Sequence, residues 1–312
     1  MNDAFVISPL PAVQQLLDGF RNRSPRRATS LIVTIFGDAI LPRGGSLWLG
    51  SLIRLLEAVD LNERLVRTSV LRLGKEHWLQ ARQLGRRSYY SVTDTGRRRF
   101  QRASRRIYAG VQSDWDGTLS VLITTQVAPG QREALRRELQ WAGFGSVAPG
   151  VLVHPRADRE ALNALLTDLE AQDAVVLLDA RVETLPLPRP LEQLVHDCWS
   201  LEALADSYQC FLELYRPVWR ALDSVDELDP AQAFWVRTLL IHDFRRVLLR
   251  DPLLPTELLP SDWPGTAARL LCRNIYQRVL APAERYLTQM LETADGPLPA
   301  PGAGLRERFG GV

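Results

Sequence analysis

The sequence predicts a multi-domain α+β protein: an N-terminal winged helix-turn-helix, a central ferredoxin-like domain and a C-terminal all-α domain. Three observations predict it. Between Leu41 and Val92, a sharp turn, two helical runs (the second basic) and two strand-like runs around Gly85-Arg86-Arg87 follow one another. Between Leu119 and Val182 the pattern alternates as β-α-β-α-β, with room for one more strand near Phe144. From Leu191 to Met290 the apolar spacing is helical, broken at Asp251-Pro252-Leu253-Leu254-Pro255 and at Ser261-Asp262-Trp263-Pro264-Gly265. The expected boundaries are an N-terminal extension over 1–27, the winged helix over 28–110, the ferredoxin-like domain over 111–187, the helical domain over 188–293 and a flexible tail over 294–312.

Pro9 to Phe20 predicts a short helix, followed by a basic linker from Arg21 to Arg27. Thr29 to Ile40 is apolar enough for a buried helix, and Leu41-Pro42-Arg43-Gly44-Gly45 ends it. Leu47 to Leu49 suits a short strand, and Ser51 to Val59 a helix through Leu52, Leu55 and Leu56. Asn62 is a good N-cap and Glu63 favours the positive helix start, so the next helix runs to about Lys75. Val66, Val70 and Leu73 form its apolar stripe. Trp78 to Leu84 and Ser88 to Val92 form a hairpin, and Arg97 to Tyr108 another basic helix. Strands are expected at Leu119–Val127, Gly150–His154 and Ala174–Val182, with helices at Gln131–Ala142 and Arg159–Ala171. Leu185-Pro186-Leu187-Pro188-Arg189-Pro190 reads as a stiff linker. The Pro/Gly/Ala-rich tail after Ala294 reads as disordered.

Charge is distributed unevenly. Arg21 to Gly110 holds 19 basic against 6 acidic residues, whereas Val111 to Val312 holds 19 against 28. A polyanion-binding head on an acidic body fits this split. The three cysteines, Cys198, Cys210 and Cys272, lack zinc-type spacing and do not suggest a disulfide framework. The chain start shows no signal peptide, and no apolar run is long enough to span a bilayer. A reducing cytoplasm is the expected location, with no membrane partner and no cofactor.

At 100° per residue, Arg64, Arg67, Thr68, Arg72 and Lys75 cluster opposite the apolar stripe, with Leu71 among them. A helix fits the major groove, where arginine forks match guanine edges or phosphates. Arg86 and Arg87 at the hairpin tip suit a narrow minor groove. Arg43 and Tyr89 are expected to hold phosphates. Double-stranded DNA is the partner this combination points to; the competing role for such a fold is a protein–protein module.

At these residues the chain resembles the PaaX family, the repressors of phenylacetic acid catabolism. The likeness rests on Leu41-Pro42-Arg43-Gly44-Gly45, Trp48-Leu49-Gly50-Ser51-Leu52, Asn62-Glu63-Arg64, Val66-Arg67-Thr68 and Gly85-Arg86-Arg87-Ser88-Tyr89-Tyr90. Further matches are Leu152-Val153-His154-Pro155, Arg250-Asp251-Pro252-Leu253-Leu254-Pro255, Leu258-Leu259-Pro260, Trp263-Pro264-Gly265 and Ala268-Arg269. Leu71 departs from the small polar residue expected there. The resemblance implies a GntR-like winged-helix repressor with a Cas2-like ferredoxin middle domain and a helical C-terminal domain. It also implies a homodimer on a palindromic operator, released by phenylacetyl-CoA or a related acyl-CoA thioester.

Such an effector needs arginines for its phosphates and apolar or aromatic walls for its acyl group. Arg237, His242, Arg245, Arg246 and Arg250 share one helix with Phe234, Trp235 and Phe244, and Trp263 lies beyond; this set is the expected sensor. The competing reading is that these arginines pair with local acids and the aromatics are core. Two enzyme readings compete with the repressor. His196-Asp197 and His242-Asp243 resemble the pairs of metal-dependent HD-type phosphohydrolases, but adjacent side chains on a helix point about 100° apart and further ligands are missing. A Cas2-like nuclease would need a carboxylate ending its first strand, where this chain has Thr124-Thr125-Gln126, so the middle domain is expected to dimerise. No catalytic residues or metal ligands are therefore expected. The principal rival to the ligand-responsive repressor is a DNA-bridging oligomer without a small-molecule effector.

Overall fold

Asn62 illustrates how the N-terminal part is built. Its side chain accepts from the Leu65 amide at 2.9 Å and starts a helix at the next residue. The structure, a computed structural model, describes residues 10–23, 28–108, 115–182 and 191–311. The end of the expected basic linker, Ser24 to Arg27, and the proline-rich linker Leu185 to Pro190 lie outside these residues. Contacts divide the chain into two units: residues 1–110, 209–246 and 266–312, and residues 111–208 and 247–265.

The first unit begins with α1, Pro11–Arg21, which buries Val13, Leu16, Leu17 and Phe20 at helical spacing. α2, Ala28–Ile35, passes into a π-helical turn over Phe36–Ile40. The chain then reverses through Gly44 and Gly45, whose φ angles of 94° and 77° suit residues without a Cβ. β1 (Ser46–Trp48), α3 (Leu49–Glu57) and α4 (Glu63–Lys75) follow, then β2 (Leu79–Leu84), β3 (Arg87–Val92) and α5 (Asp94–Tyr108). The three strands form an antiparallel sheet in the order β1-β3-β2. Leu84 pairs with Arg87, so Gly85-Arg86 is the hairpin tip, with Gly85 at a φ of 59°.

The second unit carries β4 (Thr118–Ile123), α6 (Pro129–Trp141), β5 (Gly145–Ala148), β6 (Val151–His154), α7 (Arg159–Asp168) and β7 (Val176–Arg181). The strand order β5-β6-β4-β7 with all neighbours antiparallel is the split βαβ, ferredoxin-like topology. The extra strand expected near Phe144 is β5. One sheet face buries Leu122 and Leu152 with Leu135, Leu139, Leu162 and Leu166 of its two helices. On the other face Val153 meets Val195 of α8 (Leu191–Cys198), Trp199, Leu254 and Leu258. Trp199 Nε1 donates to the Gly143 carbonyl at 3.0 Å, and a Cβ on Gly145 would stand 2.6 Å from the indole.

The remaining helices are α9 (Leu201–Asp223), α10 (Pro230–Leu248) and α11 (Pro264–Met290). After α11 come β8 (Glu292–Thr293) and β9 (Gly296–Pro297), a small hairpin whose first strand runs beside β1. The expected flexible tail is corrected here: Leu298, Leu305, Arg308 and Phe309 are buried in the first unit. Its Pro/Gly composition marks irregular backbone, but these four anchors are enough to pack it.

Candidate nucleic-acid interface and its buried support

α4 turns Val66, Val70 and Leu73 inward, each at most 1% exposed, and presents Arg64, Arg67, Thr68, Leu71, Arg72 and Lys75 to solvent. Arg67 is tethered to Glu63 with Nε 2.7 Å from Oε1, and Arg72 to Glu76 likewise at 2.7 Å. These are exposed i,i+4 pairs, weak enough to open for a better anion. The Thr68 hydroxyl donates to the Arg64 carbonyl at 2.8 Å. Leu71 is 60% exposed on this otherwise cationic face.

The hairpin tip exposes Arg86 and Arg87. Arg87 lies over the Trp48 indole with its guanidinium carbon 4.3 Å from the ring centroid, and Arg54 lies 5.0 Å from it. Both arginines bond Glu292 of β8, Arg87 at 3.0 Å and Arg54 at 3.3 Å. Tyr89 is a correction: it is 7% exposed, because it occupies the central strand opposite Trp48 and Arg82. Arg43 is another. It is buried at 3% exposure, paired with Glu284 and donating to Thr288 Oγ1 and the Pro299 carbonyl.

Asp38, in the π-turn after α2, is the centre of a buried charge cluster. Its Oδ2 accepts from Arg237 Nε at 2.7 Å. Its Oδ1 accepts from Arg308 Nη1 at 2.7 Å and from the hydroxyls of Tyr108 at 2.6 Å and Tyr276 at 3.0 Å. Arg237 Nη2 also donates to the Asp38 carbonyl at 3.0 Å, and Arg237 Nη1 pairs with Glu284. Burial pushes the Asp38 carboxyl up, but Arg237 and Arg308 outweigh it and hold the group below its ordinary range. Burial pushes the phenols up, Tyr276 to about 12, so both remain donors.

The expected sensor residues fall in both units: Arg237, His242, Arg245 and Arg246 in the first, Arg250 and Trp263 in the second. Arg237 is wholly committed to Asp38 and Glu284, as the competing reading required. His242 is buried, with Nδ1 3.0 Å from Thr34 Oγ1, and burial lowers its pKa to about 3. Arg245 donates to the carbonyl and hydroxyl of Ser30 at 2.8 Å each; it has no carboxylate partner among the described residues, and its Nε is buried without a bond. Burial lowers its pKa to about 10. Arg246 and Arg250 are exposed, and Trp263 stands edge-on to Tyr208 with centroids 5.8 Å apart. Of the two His-Asp pairs, His242 and Asp243 diverge: Asp243 bonds Arg23 at 2.6 Å and Tyr215 at 3.0 Å, away from His242's partner, whereas His196 Nδ1 lies 3.6 Å from Asp197 Oδ1 on the surface. Among the described residues no group of three or more His, Cys, Asp or Glu is placed to hold a metal ion, and no helix is long and apolar enough to cross a membrane.

Sequence reasoning missed Trp48, Arg54, Asp38, Tyr108, Tyr276, Glu284, Glu292 and Arg308. The available signal was Asp38 itself, a carboxylate inside an apolar run from Leu31 to Ile40 that needs a buried counter-charge.

Three family models match the chain: PaaX-like protein over residues 27–96, the PaaX protein central Cas2-like domain over 113–194, and the PaaX-like protein C-terminal domain over 199–289. The transcriptional repressor PaaX of Escherichia coli K12 is 41% identical over 292 residues, covering 93% of this chain and 92% of that protein. A solved structure of an uncharacterized protein from Mycobacterium tuberculosis is 25% identical with a TM-score of 0.48, covering 75% of this chain and 90% of its own.

Proposed function

Because the chain belongs to the PaaX family, and is thereby a regulator rather than an enzyme, we propose that it represses transcription of a phenylacetate-degradation operon by gripping duplex DNA. In this reading α3 and α4 form the helix-turn-helix, and β2 and β3 form the wing. The observation that carries it is the α4 face: Arg64, Arg67, Arg72 and Lys75 stand in solvent over a fully buried Val66, Val70 and Leu73 backing. α4 enters the major groove, where Leu71 is free to meet a thymine methyl. Arg86 and Arg87 reach the minor groove or its phosphates.

The Cas2-like domain is the proposed dimerisation unit, with operator half-sites about one helical turn apart or a multiple of it. The proposed effector is phenylacetyl-CoA or a related acyl-CoA. Arg245 and Arg246 are its proposed phosphate contacts, because Arg245 carries a largely buried charge that no carboxylate among the described residues offsets. Binding there must favour an arrangement of the heads that mismatches the operator, and the differential affinity sets the size of the switch.

Titration of promoter duplexes across a salt series tests the DNA reading. Neutralising about six phosphates gives a log–log slope near −5; a slope near zero contradicts it. Adding phenylacetyl-CoA, free phenylacetate or coenzyme A to the complex then tests release, which is expected with the thioester alone.

A further inference from the structure

The hairpin face of the proposed DNA head already holds an anion. Glu292 divides its carboxylate between two cations: Oε1 accepts from Arg54 Nη2 at 3.3 Å and Oε2 from Arg87 Nη1 at 3.0 Å. Both guanidinium groups lie over the Trp48 indole. The ring is seated over Gly50, where a Cβ would come within 2.4 Å of it. The Glu292 amide reaches Ser51 Oγ at 3.4 Å, and that hydroxyl donates to the Trp48 carbonyl at 2.9 Å. The glutamate thus arrives on β8, 205 residues beyond Arg87 and 238 beyond Arg54, onto the first turns of the region proposed to meet DNA.

The chemistry of the contact is that of a phosphodiester. Two arginines converge on two oxygens sharing one negative charge, against an aromatic face that fixes the guanidinium planes. All three side chains remain partly in water, at 51% exposure for Arg54, 53% for Arg87 and 38% for Glu292. Exposed pairs of this kind are weak and exchange readily. Glu292 also comes two residues after α11, the helix whose Glu284 and Tyr276 belong to the Asp38 cluster.

We propose that Arg54, Trp48 and Arg87 form a phosphate-binding site for the DNA backbone, and that Glu292 is its internal stand-in, displaced when a duplex docks. The proposal rests on the DNA-binding reading above. The glutamate weakens DNA binding by competition at one site, so a shift at the end of α11 raises or lowers affinity without touching α4.

The test is fluorescence anisotropy of the full chain with a labelled random-sequence duplex of about 30 base pairs, long enough for non-specific binding. Wild type is compared with Glu292→Gln, with Arg54→Gln/Arg87→Gln, and with the triple variant. Glu292→Ala serves as a second form of the first change. Glu292→Gln is expected to bind about threefold to tenfold tighter at low salt, and the gain is expected to vanish in the Arg54→Gln/Arg87→Gln background. Unchanged affinity in both Glu292 variants overturns the stand-in and leaves the DNA reading intact. A gain of equal size without the two arginines overturns it as well, because Glu292 then acts only by long-range repulsion. Failure of folded wild type to bind any duplex at low salt overturns the DNA reading and this proposal together.

Discussion

Asp38 and Arg237 meet where solvent does not reach: Nε lies 2.7 Å from Oδ2, with side-chain exposures of 3% and 0%. They are 199 residues apart in sequence, so the pair ties the π-turn after α2 to α10. Breaking one side of such a pair leaves an uncompensated charge. Asp38→Asn is expected to lose about 3–5 kcal/mol of stability, since Arg237 and Arg308 keep their charge. Adding Arg237→Met should recover part of that loss. Urea unfolding monitored by circular dichroism reads both, and a loss below about 1 kcal/mol in the single variant contradicts the assigned role.

Arg67 projects from the solvent face of α4 and is tethered to Glu63. If it reads a base, Arg67→Ala weakens operator binding by about 1–3 kcal/mol and blurs discrimination at one position. If it holds a phosphate, affinity falls equally for operator and scrambled duplex, with a shallower salt slope. Parallel titrations of the two duplexes separate these outcomes, and no change in either removes Arg67 from the interface.

The two halves of this site differ in how far they were legible in the sequence. α4 could be read because its determinants are local: a cap at Asn62, a stripe through Val66, Val70 and Leu73, and cations on the opposite side. The split βαβ order was readable for the same reason, though the chain leaves the sheet at Ile123 rather than Val127. Arg43 and Tyr89 were misplaced because exposure of a single residue depends on what packs over it, and Glu284 is 241 residues from Arg43. The tail failed for a related reason. Composition reported its irregular backbone but not the four side chains that anchor it.

His242 links stability to pH. Burial keeps its imidazole neutral down to about 3 in the folded chain, whereas the unfolded chain takes up the proton near 6.5. Between those values the unfolded state binds more protons, so this contribution is complete above about pH 6.5. It declines on acidification by at most ~1.4 kcal/mol per unit until about pH 3. Urea midpoints are expected to fall between pH ~7 and ~5, and His242→Gln should flatten that decline. An equally steep decline in the variant assigns the effect to other groups. Asp38 acts lower: its stabilisation is present above the unfolded carboxyl value and disappears as pH falls through its depressed folded one.

Arg245→Ala with Arg246→Ala tests the sensor. The Ser30 contacts are lost, and a modest destabilisation of about 1 kcal/mol is expected from them. Operator affinity without effector should hold, while the concentration of phenylacetyl-CoA needed for release should rise at least about tenfold, the equivalent of ~1.4 kcal/mol. Normal release in the double variant moves the effector site elsewhere.

The Arg308–Asp38 contact spans 270 residues, and this bears on biosynthesis. A ribosome adding roughly 5–20 residues per second delivers the arginine some tens of seconds after the carboxylate has emerged. Until Arg237 follows, 199 residues after the acid, the nascent chain carries a carboxylate meant for a dry interior with neither arginine to meet it, and thereafter it has Arg237 alone until Arg308 arrives. Completion of the Asp38 cluster therefore waits for Arg308, and residues 28–110 expressed alone lack both arginines that meet this carboxylate.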